Sequence, residues 1–133
     1  MSEAQRVEKF VQVVEDSTIT DEEKGKLLGK IMNESQKSCE ELYDNSSEEI
    51  NKLIKICNQI AYGSKMSGWG WGGCCIALVK EEDCEKLIDN IMNEYYLDKA
   101  NHLAITDDLK MYVFSSKPGL GAGILDPQYE FWY

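Results

Sequence analysis

The sequence predicts an α+β domain in which a largely antiparallel sheet carries helices packed on a face. Three observations predict it. Apolar residues recur at helical spacing through the first half of the chain. Two short extended stretches then follow each other directly, joined by a glycine-rich turn and not by a crossover helix, which makes their pairing antiparallel. Helical periodicity returns only after them, from Cys84 to Tyr95.

From Glu3 to Glu15, Val7, Phe10, Val11 and Val14 recur as one helix face, and Asp16 to Ile19 break the pattern. Thr20 then caps a second helix, with Glu23 placed to reach back as in a capping box. Leu27, Leu28, Ile31 and Met32 form its apolar face. Continued to Tyr43, the same helix puts Leu28, Ile31, Ser35, Cys39 and Leu42 on one stripe, so Ser35 faces inward and needs a partner.

Ser46-Ser47-Glu48-Glu49 repeats the capping logic and opens a third helix. Ile50, Leu53, Ile54, Cys57, Ile60 and Ala61 lie on one side of it, and Gly63 stands where a C-terminal stop is expected. The hairpin comes next: an extended lead-in at Lys65-Met66-Ser67, four glycines between Gly68 and Gly73, and a continuous apolar run from Cys74 to Val79 that reads as a buried strand. Glu81, Glu82 and Asp83 place negative charge on the first turn of another helix, favourable against its dipole. Cys84, Leu87, Ile88, Ile91, Met92 and Tyr95 give that helix the cleanest period in the chain. Met111 to Phe114 reads as a strand, and Lys117 to Leu125 as a second glycine-rich turn leading to a short final one. The aromatic tail, residues 126–133, has no assignment.

The length suits one domain, residues 1–133. A net charge of −10 repels phosphate backbones and anionic lipid, which argues against nucleic-acid and membrane-surface partners. The longest apolar run falls far short of the ~20 residues that span a bilayer, and the N-terminus has no signal-peptide core. Five cysteines in an odd count, with no C-x-x-C pair and with Cys74 and Cys75 adjacent, read as reduced thiols in a cytoplasmic protein. No metal site is expected: Glu81-Glu82-Asp83 reads as helix-start charge, and the lone His102 as a surface residue. Lys117 reads as a solvated lysine.

Gly68-Trp69-Gly70-Trp71-Gly72-Gly73 satisfies G-x-G-x-x-G, yet a strand follows where a dinucleotide fingerprint needs a helix, and no Gly-Lys-Ser/Thr ends the loop. Two readings stay open. One is a hairpin turn needing positive φ, with Trp69 and Trp71 packed on nearby surface. The other is a backbone nest whose amides close on an anion.

The surrounding residues carry a family resemblance. Met32-Asn33-Glu34-Ser35-Gln36-Lys37-Ser38-Cys39-Glu40-Glu41-Leu42-Tyr43 resembles the M-N-x-S-H-x-S-x-x-x-L/M-Y pattern of galactokinases. Gly63-Ser64-Lys65-Met66-Ser67-Gly68-Trp69-Gly70-Trp71-Gly72-Gly73-Cys74 is similar to that family's third motif, G-S/A-R-M/L-T-G-x-G-W/F-G-G-C. Glu3-Ala4-Gln5-Arg6-Val7 resembles its E-A-x-R-V helix. Ser116-Lys117-Pro118-Gly119-Leu120-Gly121-Ala122 resembles the K-P-G-x-G-A ending of the eukaryotic galactokinase and N-acetylgalactosamine kinase branch. The matches keep their order and cover residues 3–125.

The resemblance implies the GHMP kinase superfamily and the ferredoxin-like α+β fold of its C-terminal domain. Such enzymes transfer the γ-phosphoryl of MgATP to a sugar's anomeric hydroxyl, and their third motif lies beside the nucleotide phosphates. On that basis Ser67, Gly68, Gly70, Gly72 and Gly73 are the phosphate-proximal candidates, and Asn33 and Ser35 are candidates for facing the cleft. Gln36 stands where the family has His, Lys65 where it has Arg, Ser67 where it has Thr, and Trp69 where it has a small residue. Lysine keeps the charge but loses the bidentate fork.

The family's first motif, which grips the sugar, its second, which cradles the phosphates, and its catalytic Asp with an Arg partner have no counterpart in these residues. No catalytic residue is therefore assigned. The expectation is the C-terminal portion of a galactokinase-type enzyme, inactive alone, with MgATP bound only in a complete enzyme and a missing N-terminal kinase half or a homodimer as partner. The second expectation is a free-standing, non-catalytic domain that binds a ligand or partner.

Overall fold

The computed structural model describes residues 1–97 and 112–117. Among them lie four α-helices and one two-stranded antiparallel sheet, the α+β layout of the sequence reading: α1 (Glu3–Glu15), α2 (Asp21–Glu41), α3 (Glu48–Cys57), β1 (Gly63–Ser67), β2 (Cys74–Leu78) and α4 (Cys84–Ile91). A 3₁₀ turn, Glu81–Asp83, leads into α4, and a π-helical turn, Met92–Tyr96, continues it.

The helix starts follow from their capping residues. Thr20 and Glu23 form the expected capping box on α2, and the Ser47 hydroxyl accepts the Ile50 N–H at the start of α3. Ser2 and Gln5 form a second box on α1 that the sequence reading did not name. The stop of α3 differs from expectation. It ends at Cys57 with Asn58 as its cap, and Ile60 and Ala61 pack on the core from the following turn. Gly63 does not terminate a helix; it opens β1 and presses on α2, where a Cβ on Gly63 would stand 2.1 Å from the Gly29 carbonyl oxygen. A Cβ on Gly29 would in turn stand 2.2 Å from the Tyr62 carbonyl oxygen, so this helix–strand contact has backbone on both sides.

The strands pair from Gly63 with Leu78 to Ser67 with Cys74. α3 and α4 cover one face of this hairpin. Met66 is buried with Ile50 and Ile54, while Ile56, Cys57, Leu87, Ile91 and Tyr95 form the larger core cluster. Cys75 packs against both clusters and Cys74 is exposed, so one of the adjacent thiols points inward, as alternation requires. The Cys57 thiol beside it, together with burial, pushes the Cys75 thiol up and keeps it protonated.

Two expectations about strands are corrected. The run Cys74 to Val79 is not a buried strand, because on the face away from α3 Cys74 is exposed and Ile76 is 54% exposed. Tyr112 to Phe114 form a turn and coil without strand pairing; Met111, the glycine-rich segment beyond Lys117 and the aromatic tail lie outside the described residues.

The face of α1 is corrected as well. Val7, Val11 and Val14 stay exposed and Phe10 is half-buried, while Arg6 and Val13 are the buried residues against α2. The physical reason is polar. Glu3 and Arg6 find hydrogen-bond partners on α2, and a helix turned to bury the valines would strand both charges. On α2, Ser35 is buried as expected, together with Ile31, whereas Leu42 is 78% exposed beyond the helix end.

Candidate functional site

The loop between β1 and β2 is built from backbone that side chains rarely tolerate. Gly68, Gly70, Gly72 and Gly73 have φ of 99°, 92°, 147° and 93°, and Trp71 adopts 59°. From Gly70 to Gly73 every residue has positive φ, a run of backbone that ordinary residues resist. Gly70 is fixed by a neighbour: a Cβ there would stand 2.3 Å from the Asn45 carbonyl oxygen. That same carbonyl accepts the Trp71 N–H at 2.8 Å, and the Asn45 N–H is held by the Cys39 carbonyl at the end of α2. The turn between α2 and α3 therefore anchors the glycine loop. Gly68 and Gly72 are open, with no atom within 4 Å of a Cβ, and a Cβ on Gly73 would stand 3.5 Å from the Ser67 carbonyl oxygen. Trp69 is 101% exposed and Trp71 68%, so neither indole packs on nearby surface as the hairpin-turn reading expected.

Ser67 ends β1 at the mouth of the loop and is exposed. Two residues back, Lys65 donates to the Ser35 hydroxyl at 2.7 Å, and Ser35 donates to Glu3 at 2.8 Å. Arg6 pairs with Glu3 through one guanidinium nitrogen and donates to Ser38 at 2.8 Å through another, while its Nε has no partner. Burial opposes the charge on Glu3, but the Ser35 hydroxyl, Arg6 and Lys65 outweigh it and hold the carboxyl below its ordinary range. Lys65, Ser35, Glu3 and Arg6 close the polar end of a groove of about 270 Å³ whose apolar walls are Val7, Phe10, Val11, Ile31 and Met32.

Asn33 and Gln36 hold the outer edge of β1. The Asn33 Oδ1 accepts the Ser64 N–H at 3.0 Å, and the Gln36 Oε1 accepts the Met66 N–H at 2.9 Å. Gln36 donates from Nε2 to Ser46 at 3.1 Å. One amide thus ties α2, β1 and the start of α3 together. Of the two cleft candidates, Ser35 lines the groove, and Asn33 has its side-chain oxygen engaged by the strand. Asn45 is the residue that sequence reasoning missed. Its role runs through the backbone, so only the turn composition Asp44-Asn45-Ser46-Ser47 hinted at it.

Elsewhere, Lys117 donates to Glu81 at 2.6 Å between two exposed side chains. Among the described residues, no group of three or more His, Cys, Asp or Glu is placed to hold a metal ion, and no helix is long and apolar enough to cross a membrane. His102 lies outside the described residues.

Comparison with known proteins gives these features a family. Galactokinase of Saccharomyces cerevisiae is 40% identical over 127 residues, covering 91% of this chain and 24% of that protein. Galactokinase of Dictyostelium discoideum is 39% identical over 100 residues, covering 74% of this chain and 20% of that protein. This chain therefore spans a quarter or less of the length of these relatives. A crystal structure of mevalonate kinase aligns with a TM-score of 0.49 at 25% identity, over 71% of this chain and 29% of that one. The family model described as GHMP kinases C terminal matches residues 20–98, from the capping box of α2 through the glycine loop and α4, and the chain belongs to that family.

Proposed function

We propose that this chain supplies the C-terminal, phosphate-side wall of a galactokinase-type sugar 1-kinase, which transfers the γ-phosphoryl of MgATP to galactose or N-acetylgalactosamine. The observation that carries the reading is the glycine loop: left-handed backbone from Gly70 to Gly73, anchored through Asn45 and bare of side-chain cover at Gly68 and Gly72. Ser67, Gly68, Gly70, Gly72 and Gly73 are the residues proposed to face the phosphates, with Ser35 and Asn33 behind them on α2. Phosphoryl transfer depends on positioning and on charge stabilisation by several cationic donors, and one wall of a cleft provides too few. The chain alone is therefore proposed to be inactive, with the remaining kinase half as its partner and MgATP bound only by the completed enzyme.

The test adds this chain to a galactokinase of S. cerevisiae truncated to remove its last quarter, and follows galactose-dependent ADP release. The expected result is no turnover from either piece and turnover from the mixture. Turnover by this chain alone would refute its inactivity, and a mixture as silent as its parts would refute its role as the missing wall.

A second reading, a free-standing non-catalytic binding domain, is favoured by Trp69 and Trp71, which stand in solvent at the loop tip. It predicts a loop-dependent dimer or partner complex, and light scattering that shows a monomer removes the homodimer.

A further inference from the structure

The last turn of α3 is fixed on the hairpin by polar contacts. Ser64 of β1, which has no exposed surface, donates from Oγ to the Asn58 Oδ1 at 2.8 Å and lies 3.4 Å from the Ile54 carbonyl oxygen. Cys57 is the last residue of that turn. On β2, Cys75 stands opposite the buried Met66 and Ala77 opposite the buried Ser64. Residues opposite each other in a ladder share a face, so Cys75 and Ala77 point toward α3. Both pack against the core cluster that contains Cys57. The clamp at Ser64 thus brings the thiols of Cys57 and Cys75 side by side.

The other cysteines are placed differently. Cys74 is exposed on the opposite face of β2, Cys39 packs on the neighbouring cluster of Ile50, Ile54 and Met66, and Cys84 begins α4. Cys57 is 2% exposed and Cys75 is half-buried, so the pair has one covered member and one open to a small reagent. Cys57 loses its proton first, because the Cys75 thiol beside it stabilises the thiolate against the cost of burial, while Cys75 itself is held protonated. A thiolate with a second thiol at its side can be oxidised and then resolved within the fold.

We infer that Cys57 and Cys75 form a reversible disulfide under hydrogen peroxide, locking the end of α3 to the strand that leaves the glycine loop. The Cys57 sulfur attacks one peroxide oxygen, the O–O bond breaks, and the departing hydroxide takes the proton that Cys57 gave up. The Cys75 sulfur then displaces that oxygen from the Cys57 sulfenic acid, and the Cys75 proton leaves with it as a second water. Two thiols and one peroxide become one disulfide and two waters, and a small thiol reverses the bond by exchange. β2 begins directly after Gly73, so the crosslink holds the exit of the loop. The inference stands on α3 and the hairpin and does not depend on the kinase reading.

The test treats the full chain with hydrogen peroxide, blocks the remaining thiols with N-ethylmaleimide, and maps the digested product by mass spectrometry. A peptide linking Cys57 to Cys75 is expected, absent after dithiothreitol. The oxidised chain should also unfold at higher urea, because the closed loop restricts the unfolded state. Cys57→Ser and Cys75→Ser should each abolish the linked peptide and the urea shift, and Cys74→Ser should keep both. Should the buried Cys57→Ser fail to fold, the half-buried Cys75→Ser gives the same readout. Linkage of Cys75 to Cys39 or Cys74, or oxidation of single thiols to sulfinic acid without a crosslink, would overturn the inference. So would an equal yield of the linked peptide from chain unfolded in urea, since the folded placement would then play no part.

Discussion

The side-chain oxygen of Gln36 accepts the backbone N–H of Met66 at 2.9 Å, so a helix residue takes the position that a third strand's carbonyl would hold. Asn33, one turn earlier on α2, does the same for Ser64. Side chains three apart on a helix thereby satisfy N–H groups two apart on a strand, and the outer edge of β1 is closed without a neighbouring strand. Gln36 thus makes this contact at the position where the resembling family carries histidine. A neutral histidine also offers a donor and an acceptor, though one N–H against the two of the glutamine amide, and only the histidine titrates.

Replacing Gln36 with Leu should leave the Met66 N–H buried without a partner and lower stability by about 1–3 kcal/mol, measured by urea unfolding. Gln36→His should be close to the parent at pH 8. Its imidazole must stay neutral to accept from Met66, so its folded pKa falls below the unfolded value of about 6.5. The unfolded state then binds more protons, and stability should decline as pH falls below that value. A Gln36→His stability curve parallel to the parent's from pH 8 to 5 would contradict this arrangement.

Glu3 titrates below its ordinary value because Ser35, Arg6 and Lys65 outweigh the opposing effect of burial. Its contribution is complete above the unfolded carboxyl pKa and is lost as pH falls through the lower folded value. Glu3→Gln should therefore be less stable than the parent at neutral pH and flatter in its acid limb, with the two curves converging near pH 2. The readout is thermal unfolding between pH 7 and 2.

Glu22 is the most strongly shifted carboxyl, held down to about 2 by Lys80, the Tyr62 hydroxyl and Lys26. The same hydrogen bond from Tyr62, 2.6 Å long, raises the Tyr62 phenol above its ordinary value of 10.0. Absorbance at alkaline pH should show one tyrosine titrating late, and Glu22→Gln should return it to the ordinary range. The group is solvent-exposed, so the shift should shrink as salt is added.

Gly70→Ala forces a side chain to φ +92° and against the Asn45 carbonyl, and it displaces the hydrogen bond from Trp71. A loss of about 2–3 kcal/mol is expected, with a change in tryptophan emission. Gly68→Ala meets open space at φ +99° and should cost only the backbone strain, about 1–2 kcal/mol. Equal losses at both positions would show that the Asn45 anchor is unimportant.

What the sequence determined by itself was local and periodic. The Thr20–Glu23 box, the Ser47 cap, the four helices and the hairpin with its glycine turn follow from residues within a few positions of one another. The inward position of Ser35 was also legible, since its stripe on α2 left it no other direction. Only the tertiary structure decided which face of α1 is buried, because the answer lies in Glu3 and Arg6 meeting Ser35 and Ser38 some thirty residues away, separations of 32 in both cases. It alone decided that Gly63 presses against Gly29 and does not stop a helix, that β2 has one open face, and that the Asn45 carbonyl holds the glycine loop. Periodicity reports how apolar a face is. It cannot report which distant polar groups a charge must reach, and here the need to satisfy the buried Arg6 and the half-buried Glu3 turned the helix over.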